Sequence, residues 1–250
     1  MRGPMNPSTN DTIGMLIEGY DMPPMIMMTY NPPYYNDLME KAGLAKIKDV
    51  LAYKLTQEEV TDRLLRVGDI VRKRLKVKIR PLNPKDLKNE IERIRVIYNA
   101  AWSRNWGFVP MTKAEFDYTA NDLKKILDPE LALLAEDEGR PVGFSLALPD
   151  LNEALKRING RLLPFGIFKV LYHSRKIHSA RVLTMGVIDE YRGRGIDTAF
   201  YLETFERGIK RGYDWAETSW ILEDNVLMNR AMEMMGGKVY KRYRIYEKPI

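Results

Sequence analysis

The sequence contains no cysteine among its 250 residues, which removes disulfides, thiolate metal sites and a cysteine nucleophile together. It has two histidines, His173 and His178, too few for a histidine-rich metal centre, and no metal is expected. The N-terminus, Met1-Arg2-Gly3-Pro4-Met5-Asn6-Pro7, lacks the apolar core of a secretory signal. Long hydrophobic runs are missing as well. The longest apolar stretch, Leu162 to Tyr172, is interrupted by Lys169 and is too short to cross a bilayer. These absences set the expectation of a cytoplasmic protein with no membrane partner.

What is present suits a globular chain. Hydrophobic residues make up 45% and charged residues 30%, enough apolar material to build a core rather than a disordered polymer. The net charge of +6 favours anionic ligands such as phosphates. In the densest basic run, Arg72 to Arg80, the apolar residues alternate at Leu75, Val77 and Ile79. That is the pattern of a half-buried strand with a solvated basic face, so nucleic acid is not an expected partner.

Along the chain the periodicity changes repeatedly. Thr56 to Leu75 reads as a helix, opened by a Thr56/Glu59 capping box, with Val60, Leu64, Val67, Val71 and Leu75 on one face. From Lys76 onward the pattern runs strand, two helices, hairpin, two short helices, strand, helix, strand, helix, strand. The helices are Leu87–Trp102, Lys113–Leu127, Leu151–Ile158, Pro164–Tyr172, Thr198–Arg211 and Asn225–Met235. The later strands are Leu131–Ala135, Val142–Leu148, Arg181–Ile188, Asp214–Ile221 and Lys238–Glu247. Asp137-Glu138-Gly139-Arg140 supplies the hairpin turn, and Gly236-Gly237 stops the last helix. This is a mixed α/β (α+β) arrangement around a mixed sheet, not a regular βαβ repeat.

One internal similarity involves the chain's beginning. Asn31 opens a helical stretch that stops at Gly43 and leads into a β-like run, Asp49 to Leu55. Asn225, Gly236-Gly237 and the closing strand repeat that order.

The stretch that points to chemistry is Val182 to Ala199. A strand leads into Arg192-Gly193-Arg194-Gly195, and the loop opens a helix at Ile196, Asp197 and Thr198. Glycines let backbone approach a ligand closely, and loop amides at a helix N-terminus form an anion site. Two arginines add charge-assisted donors. The run is neither a P-loop nor a dinucleotide fingerprint, because their later positions do not match.

This loop resembles the acetyl-CoA signature of the GNAT acetyltransferase superfamily, Arg/Gln-x-x-Gly-x-Gly/Ala, with Arg192 first and Gly195 fourth. The flanking elements and Asn225 agree, so the resemblance covers Lys76 to Ile250. It implies a GNAT acyl-CoA acyltransferase fold and acetyl-CoA, or CoA, as cofactor. It also implies that the loop amides of Arg192, Gly193, Arg194, Gly195, Ile196, Asp197 and Thr198 hold the pyrophosphate. The strand backbone at Met185 and Val187 would hold the pantetheine arm, and Asn225 would touch the cofactor. By the same resemblance, residues 1–55 look like the closing half of another GNAT-like domain, 56–75 a linker helix and 76–250 a complete domain. A half-domain of that size needs a partner surface: the main sheet, or a homodimer through the N-terminal segment.

Three positions depart from the superfamily pattern. Asp197 stands where Gly or Ala is usual, and would either cap the helix or repel phosphates. Met232 falls at the position of the general-acid tyrosine. No carboxylate lies on the strand before the loop. Glu217 or His178 could substitute as base, and Tyr240 or Tyr243 as proton donor. Trp102, Asn105, Trp106 and Phe108 sit between the first two helices of the domain, where this superfamily often builds its acceptor site. Three functions stay open. The first is N-acyl transfer from acetyl-CoA to a small-molecule or peptide amine, with Glu217 and Tyr240 as catalytic candidates. The second is a non-catalytic CoA-binding or structural module. The third is aminoacyl transfer as in peptidoglycan-bridge enzymes.

Overall fold

The computed structural model describes residues 1–6, 8–60 and 62–249, apart from the side chains at 62–64 and 67. In chain order the strands and helices are β1 (Arg2–Gly3), β2 (Met5–Asn6), β3 (Thr12–Ile13), β4 (Met15–Glu18), α1 (Tyr34–Lys41), β5 (Ala45–Thr56), α2 (Asp62–Arg74) and β6 (Lys78–Pro81). There follow α3 (Leu87–Trp102), α4 (Lys113–Leu123), β7 (Ala132–Asp137), β8 (Arg140–Pro149), α5 (Leu151–Lys156) and α6 (Gly166–His173). The chain ends with β9 (Ser179–Val187), α7 (Ile196–Arg211), β10 (Trp215–Leu222), α8 (Val226–Met234) and β11 (Lys238–Glu247).

One mixed sheet organises the molecule, in the order β1-β11-β5-β10-β9-β8-β7-β6, with β4 also paired to β11. The β7–β8 hairpin turns where expected, with Glu138 and Gly139 both at positive φ, 49° and 84°, the geometry of a tight hairpin turn. Residues ahead of 56 pair β2 with β3 in a small two-stranded sheet and add β1, β4 and β5 to the main one. Their long strand β5 lies between β10 and β11 and runs antiparallel to both, from Trp215↔Thr56 on one side to Glu247↔Ala45 on the other. The two stretches that looked alike in sequence therefore meet as neighbours, β5 after Gly43 and β11 after Gly236.

Alternation along β5 explains its continuous apolar run. Val50 and Ala52 pack on one face with Ile13, Leu16, Met25, Met28, Tyr243 and Ile245. Leu51, Tyr53 and Leu55 pack on the other with Tyr201, Ile221, Met232 and Met235. A strand covered on both sides has no polar face to alternate with. Helices α7 and α8 cover the second face. The first is covered by the segment from Ile13 to Met28, while α3 packs on β7 and β8 further along the sheet.

Two local expectations change. β5 continues to Thr56, which is still laddered to Trp215, so the capping box cannot open a long helix there. Glu59 accepts from the Thr56 amide at 3.2 Å across a single turn, and Val60 is extended, so the helix over Asp62–Arg74 is not opened by this box. Val71 on α2 approaches Gly195, and Gly68 lies against Leu202 of α7; the expected Leu64 and Val67 positions fall outside the described side chains. Asn31 does not open a helix either. It is buried, its Oδ1 accepts from Leu16 N at 2.7 Å, and its Nδ2 donates to Leu16 O at 3.2 Å. Pro32 follows it and disfavours helical backbone at residue 31.

Candidate functional site

Strands β9 and β10 pair in parallel from Ser179↔Trp215 to Val182↔Thr218. Beyond that point β9 stays with β8 as far as Val187, while β10 stays with β5 at Ile221 and Leu222. The two strands part, and the β9 edge at Met185 and Val187 faces the gap. A ligand with an extended, amide-containing arm can add to such an edge.

The basic loop lies at the end of β9. Gly193 and Gly195 have φ of 71° and 86°, and a Cβ at Gly193 would meet nothing within 4 Å. Gly195 is the N-cap of α7, and no side chain caps the helix. Among the described residues, its first-turn amides at Ile196, Asp197 and Thr198 therefore have no side-chain partner, and they carry the positive end of the helix dipole. This corrects the capping role expected of Asp197. With the cap at 195, residue 197 is already helical, and its carboxylate is exposed in the first turn. Ile196 turns its side chain into the core beside Phe200. The residues fit a pyrophosphate through backbone rather than side chains.

The arginines are partly engaged. Arg192 turns back, donating to Val187 O at 3.3 Å and to Ala101 O, and pairs with Asp189 at 3.0 Å. Arg194 lies 4.5 Å from the centre of the Tyr191 ring. Asn225 caps α8, accepting from Met228 N at 3.2 Å. Met232 is not at the gap at all: it is fully buried beneath β5 and β10, with Thr218 Oγ1 donating to its sulfur at 3.0 Å. Counting along a helix located the residue but not the face it occupies.

Glu217 and Tyr240 are brought together, deep behind the sheet. Glu217 is fully buried, so it is not a solvent-facing strand residue. Tyr240 OH donates to its Oε2, and Ser219 Oγ donates to its Oε1 at 2.5 Å. Arg181, also buried, donates from Nε to Ser219 Oγ at 2.9 Å and lies 3.5 Å from Glu217. Its Nη1 donates to Ile26 O at 2.8 Å. Burial lowers the arginine's proton affinity, with Glu217 opposing. Burial, then the Glu217 charge, pushes the Tyr240 hydroxyl well above its ordinary range, so it stays protonated. Beside them Lys241 is buried too, donating to Gly19 O at 2.6 Å and Met22 O at 2.5 Å. His178 is exposed, 3.4 Å from Asp214.

On the same face a cleft of about 410 Å³ opens between α3, α4, the first strands and β9–β10. Trp102, Trp106, Phe108, Phe116, Phe144 and Trp220 contribute its aromatic walls, and Asn105 also lines it. Gly186 makes room for one of these walls, since a Cβ there would lie 2.1 Å from the Trp102 ring. Arg181 and Thr184 line the cleft on β9, whereas Glu217 and Tyr240 do not reach it. Among the described residues, the buried Trp220 indole N–H has no hydrogen-bond partner. Such a donor on a cleft wall suits a ligand oxygen or a bound water. Asp11 is the carboxylate in the lining; partial burial, then Glu115, raises its pKa. Sequence reasoning missed Asp11 because it lies far ahead of the recognised elements, in a turn with no motif.

Among the described residues, no group of histidine or acidic side chains could hold a metal ion. No helix among them is long and apolar enough to cross a membrane.

Parallel strands that pair and then part, an uncapped glycine-led helix after the first of them, and an aromatic cleft opposite define the GNAT acyltransferase fold. Solved structures agree. A GCN5-related N-acetyltransferase from Sphaerobacter thermophilus matches with a TM-score of 0.56 at 20% identity, over 88% of this chain and 59% of that one. A tandem GNAT protein from the clavulanic acid biosynthesis pathway matches with 0.54 at 13%, over 87% and 59%. No protein-family model matches. Among curated proteins the chain is 39% identical to Escherichia coli YghO over 256 residues, and 36% identical to the bacterial ceramide synthase of Caulobacter vibrioides over 260. Both alignments take in 99% of this chain but 65% and 66% of the relatives, so it spans just under two thirds of their length.

Proposed function

We propose that this chain carries the acyl-transfer site of an N-acyltransferase that takes an acyl group from acyl-CoA and places it on the amine of a long-chain, amphipathic acceptor. The observation that carries this is the 410 Å³ cleft, aromatic along its walls and polar at Asp11, Arg181, Thr184 and Trp220. An acetyl group or a small polar amine would leave most of such a wall exposed to water; a hydrocarbon chain covers it. The relative named as a ceramide synthase supports the reading, since a ceramide is an N-acylated long-chain amino alcohol.

Acyl-CoA supplies an activated thioester. The chain's own residues do the rest. The amides of Gly195 to Thr198 bind phosphate, and the β9 edge at Met185 and Val187 aligns the arm. Asp11 holds the amine and takes its proton, and the Trp220 N–H faces a carbonyl oxygen. Glu217 and Tyr240 act at one remove, fixing Arg181 through Ser219, and positioning carries much of the catalysis.

The test is thiol release and mass-detected amide from purified protein given a long-chain acyl-CoA and a long-chain amino alcohol. Asp11→Asn should lower the rate on the order of a hundredfold. CoA binding with no amide for any amine would favour the binding-module reading instead.

A further inference from the structure

Between β8 and β9 the chain leaves the sheet for a short helical excursion, and this excursion is built inside out. From Leu162 to Tyr172 seven large apolar side chains are 50% to 83% exposed, among them Leu163, Phe165, Ile167, Phe168 and Leu171. The exposure is held in place rather than frayed. Gly166 is buried where a Cβ would lie 1.9 Å from Arg161 O, and Ile167 N donates to Leu162 O at 3.0 Å. An apolar patch of this kind on a soluble-looking surface marks an interaction site.

Charge says what it meets. Lys156, Arg157, Arg161, Lys169, Arg175 and Lys176 surround the patch, all exposed, and among the described residues none of them forms an ion pair. The excursion's two carboxylates are both turned inward: Asp150 is buried and accepts from Ile26 N, and Glu153 accepts from His178 N at 3.1 Å and from Ser179 Oγ. Only positive charge therefore frames the apolar surface. Basic residues around exposed Leu, Phe and Ile on a short helix are the composition of an element that lies in a bilayer interface and prefers anionic lipid.

We infer that α5, α6 and the loop between them dock this protein onto the surface of an anionic lipid membrane, with Leu163, Phe165 and Phe168 inserted and the six basic side chains on the headgroups. The inference is independent of the acyl-transfer reading, because none of these residues lines the cleft. It also amends the expectation of no membrane partner, which came from the lack of spanning length; lying on a bilayer needs none. The same end of the molecule is tied to the cleft wall. Ile26 N donates to Asp150 at the start of α5, while Ile26 O accepts from Arg181.

Cosedimentation with phosphatidylglycerol vesicles tests it, with phosphatidylcholine vesicles as the neutral control. Binding to phosphatidylglycerol should be more than about tenfold stronger and should weaken with salt. The double variant Phe165→Asp/Phe168→Asp, altered only at exposed positions, should lose binding with an unchanged circular dichroism spectrum. Arg161→Glu/Lys169→Glu should lose the preference for anionic lipid. Failure to sediment with phosphatidylglycerol overturns the inference. So does equal binding to both lipids. Self-association that Phe165→Asp/Phe168→Asp abolishes would instead assign the patch to a second copy of the chain.

Discussion

The two sides of the gap between β9 and β10 are constructed differently. On the loop side, Gly193 and Gly195 carry no side chains, α7 is uncapped, and the groups offered to a ligand are backbone amides. On the cleft side, buried Arg181, Ser219 and Glu217 interlock with the half-buried Tyr240, and each polar group depends on the next. The loop side resembles a receptor for a fixed chemical group, which geometry alone can hold. The cleft side resembles a scaffold that keeps one cationic side chain in place against water. Mutations on the two sides should therefore report in different measurements, stability on one and affinity on the other.

The largest effect is expected from Glu217→Ala. Removing the carboxylate leaves Arg181 charged and buried without its counter-ion, which should cost about 3–5 kcal/mol. The urea midpoint reads it, and an unchanged midpoint would show that the cluster is not interlocked.

Asp150→Asn should sharpen the contrast in the opposite direction. Asp150 accepts from Ile26 N at 2.8 Å and Asn152 N at 3.2 Å, and burial pushes its carboxyl up to about 6. Below the ordinary aspartate pKa both folded and unfolded forms are protonated, so burial costs nothing. As pH rises toward 6 the unfolded chain ionises first, and that stability is lost. The amide retains an oxygen acceptor without the charge. Asp150→Asn should thus gain about 1–3 kcal/mol near pH 8 and almost nothing near pH 4. Melting curves of the two proteins at both pH values check this.

The smallest effect belongs to the loop. Asp197→Asn removes a negative charge beside the uncapped amides and should tighten CoA binding by about two- to fivefold, at the upper end of a first-turn charge effect. Melting should barely move. Calorimetry that finds no change in affinity would mean that these amides do not face the phosphates.

What was legible in the sequence follows the same division. Helix α3 spans Leu87–Trp102 and strand β11 spans Lys238–Glu247, as their periodicity indicates, because each packs by a rule local to its own residues. The glycine loop before α7 was legible for the same reason, since a turn that needs positive φ writes glycine into its own positions. Glu217 was not. Alternation places it on one face of β10, but whether that face is wet depends on Ile13 to Met28, two hundred residues earlier. Met232 failed for a related reason, because spacing from Asn225 fixes a position along α8 and says nothing of what lies beneath it. The cleft was half legible. Trp102, Asn105, Trp106 and Phe108 could be grouped as neighbours in sequence, whereas Asp11 and Trp220 join them only through tertiary contact.

The position of β5 also governs the order in which this molecule can be assembled. On a ribosome, the chain from Leu44 to Thr56 is released long before either strand that will flank it. Its ladders are with β10 and β11, so no native sheet partner exists for it until residues 215–247 have emerged. The hairpin of β7 and β8, and the antiparallel addition of β9, need no such wait. Synthesis therefore produces one half of the sheet in sequence order and leaves the longest strand of the other half in reserve, with both edges open. Closure of this half waits for β10 and β11, and it also seats β1 on β11, with Arg2 opposite Glu247.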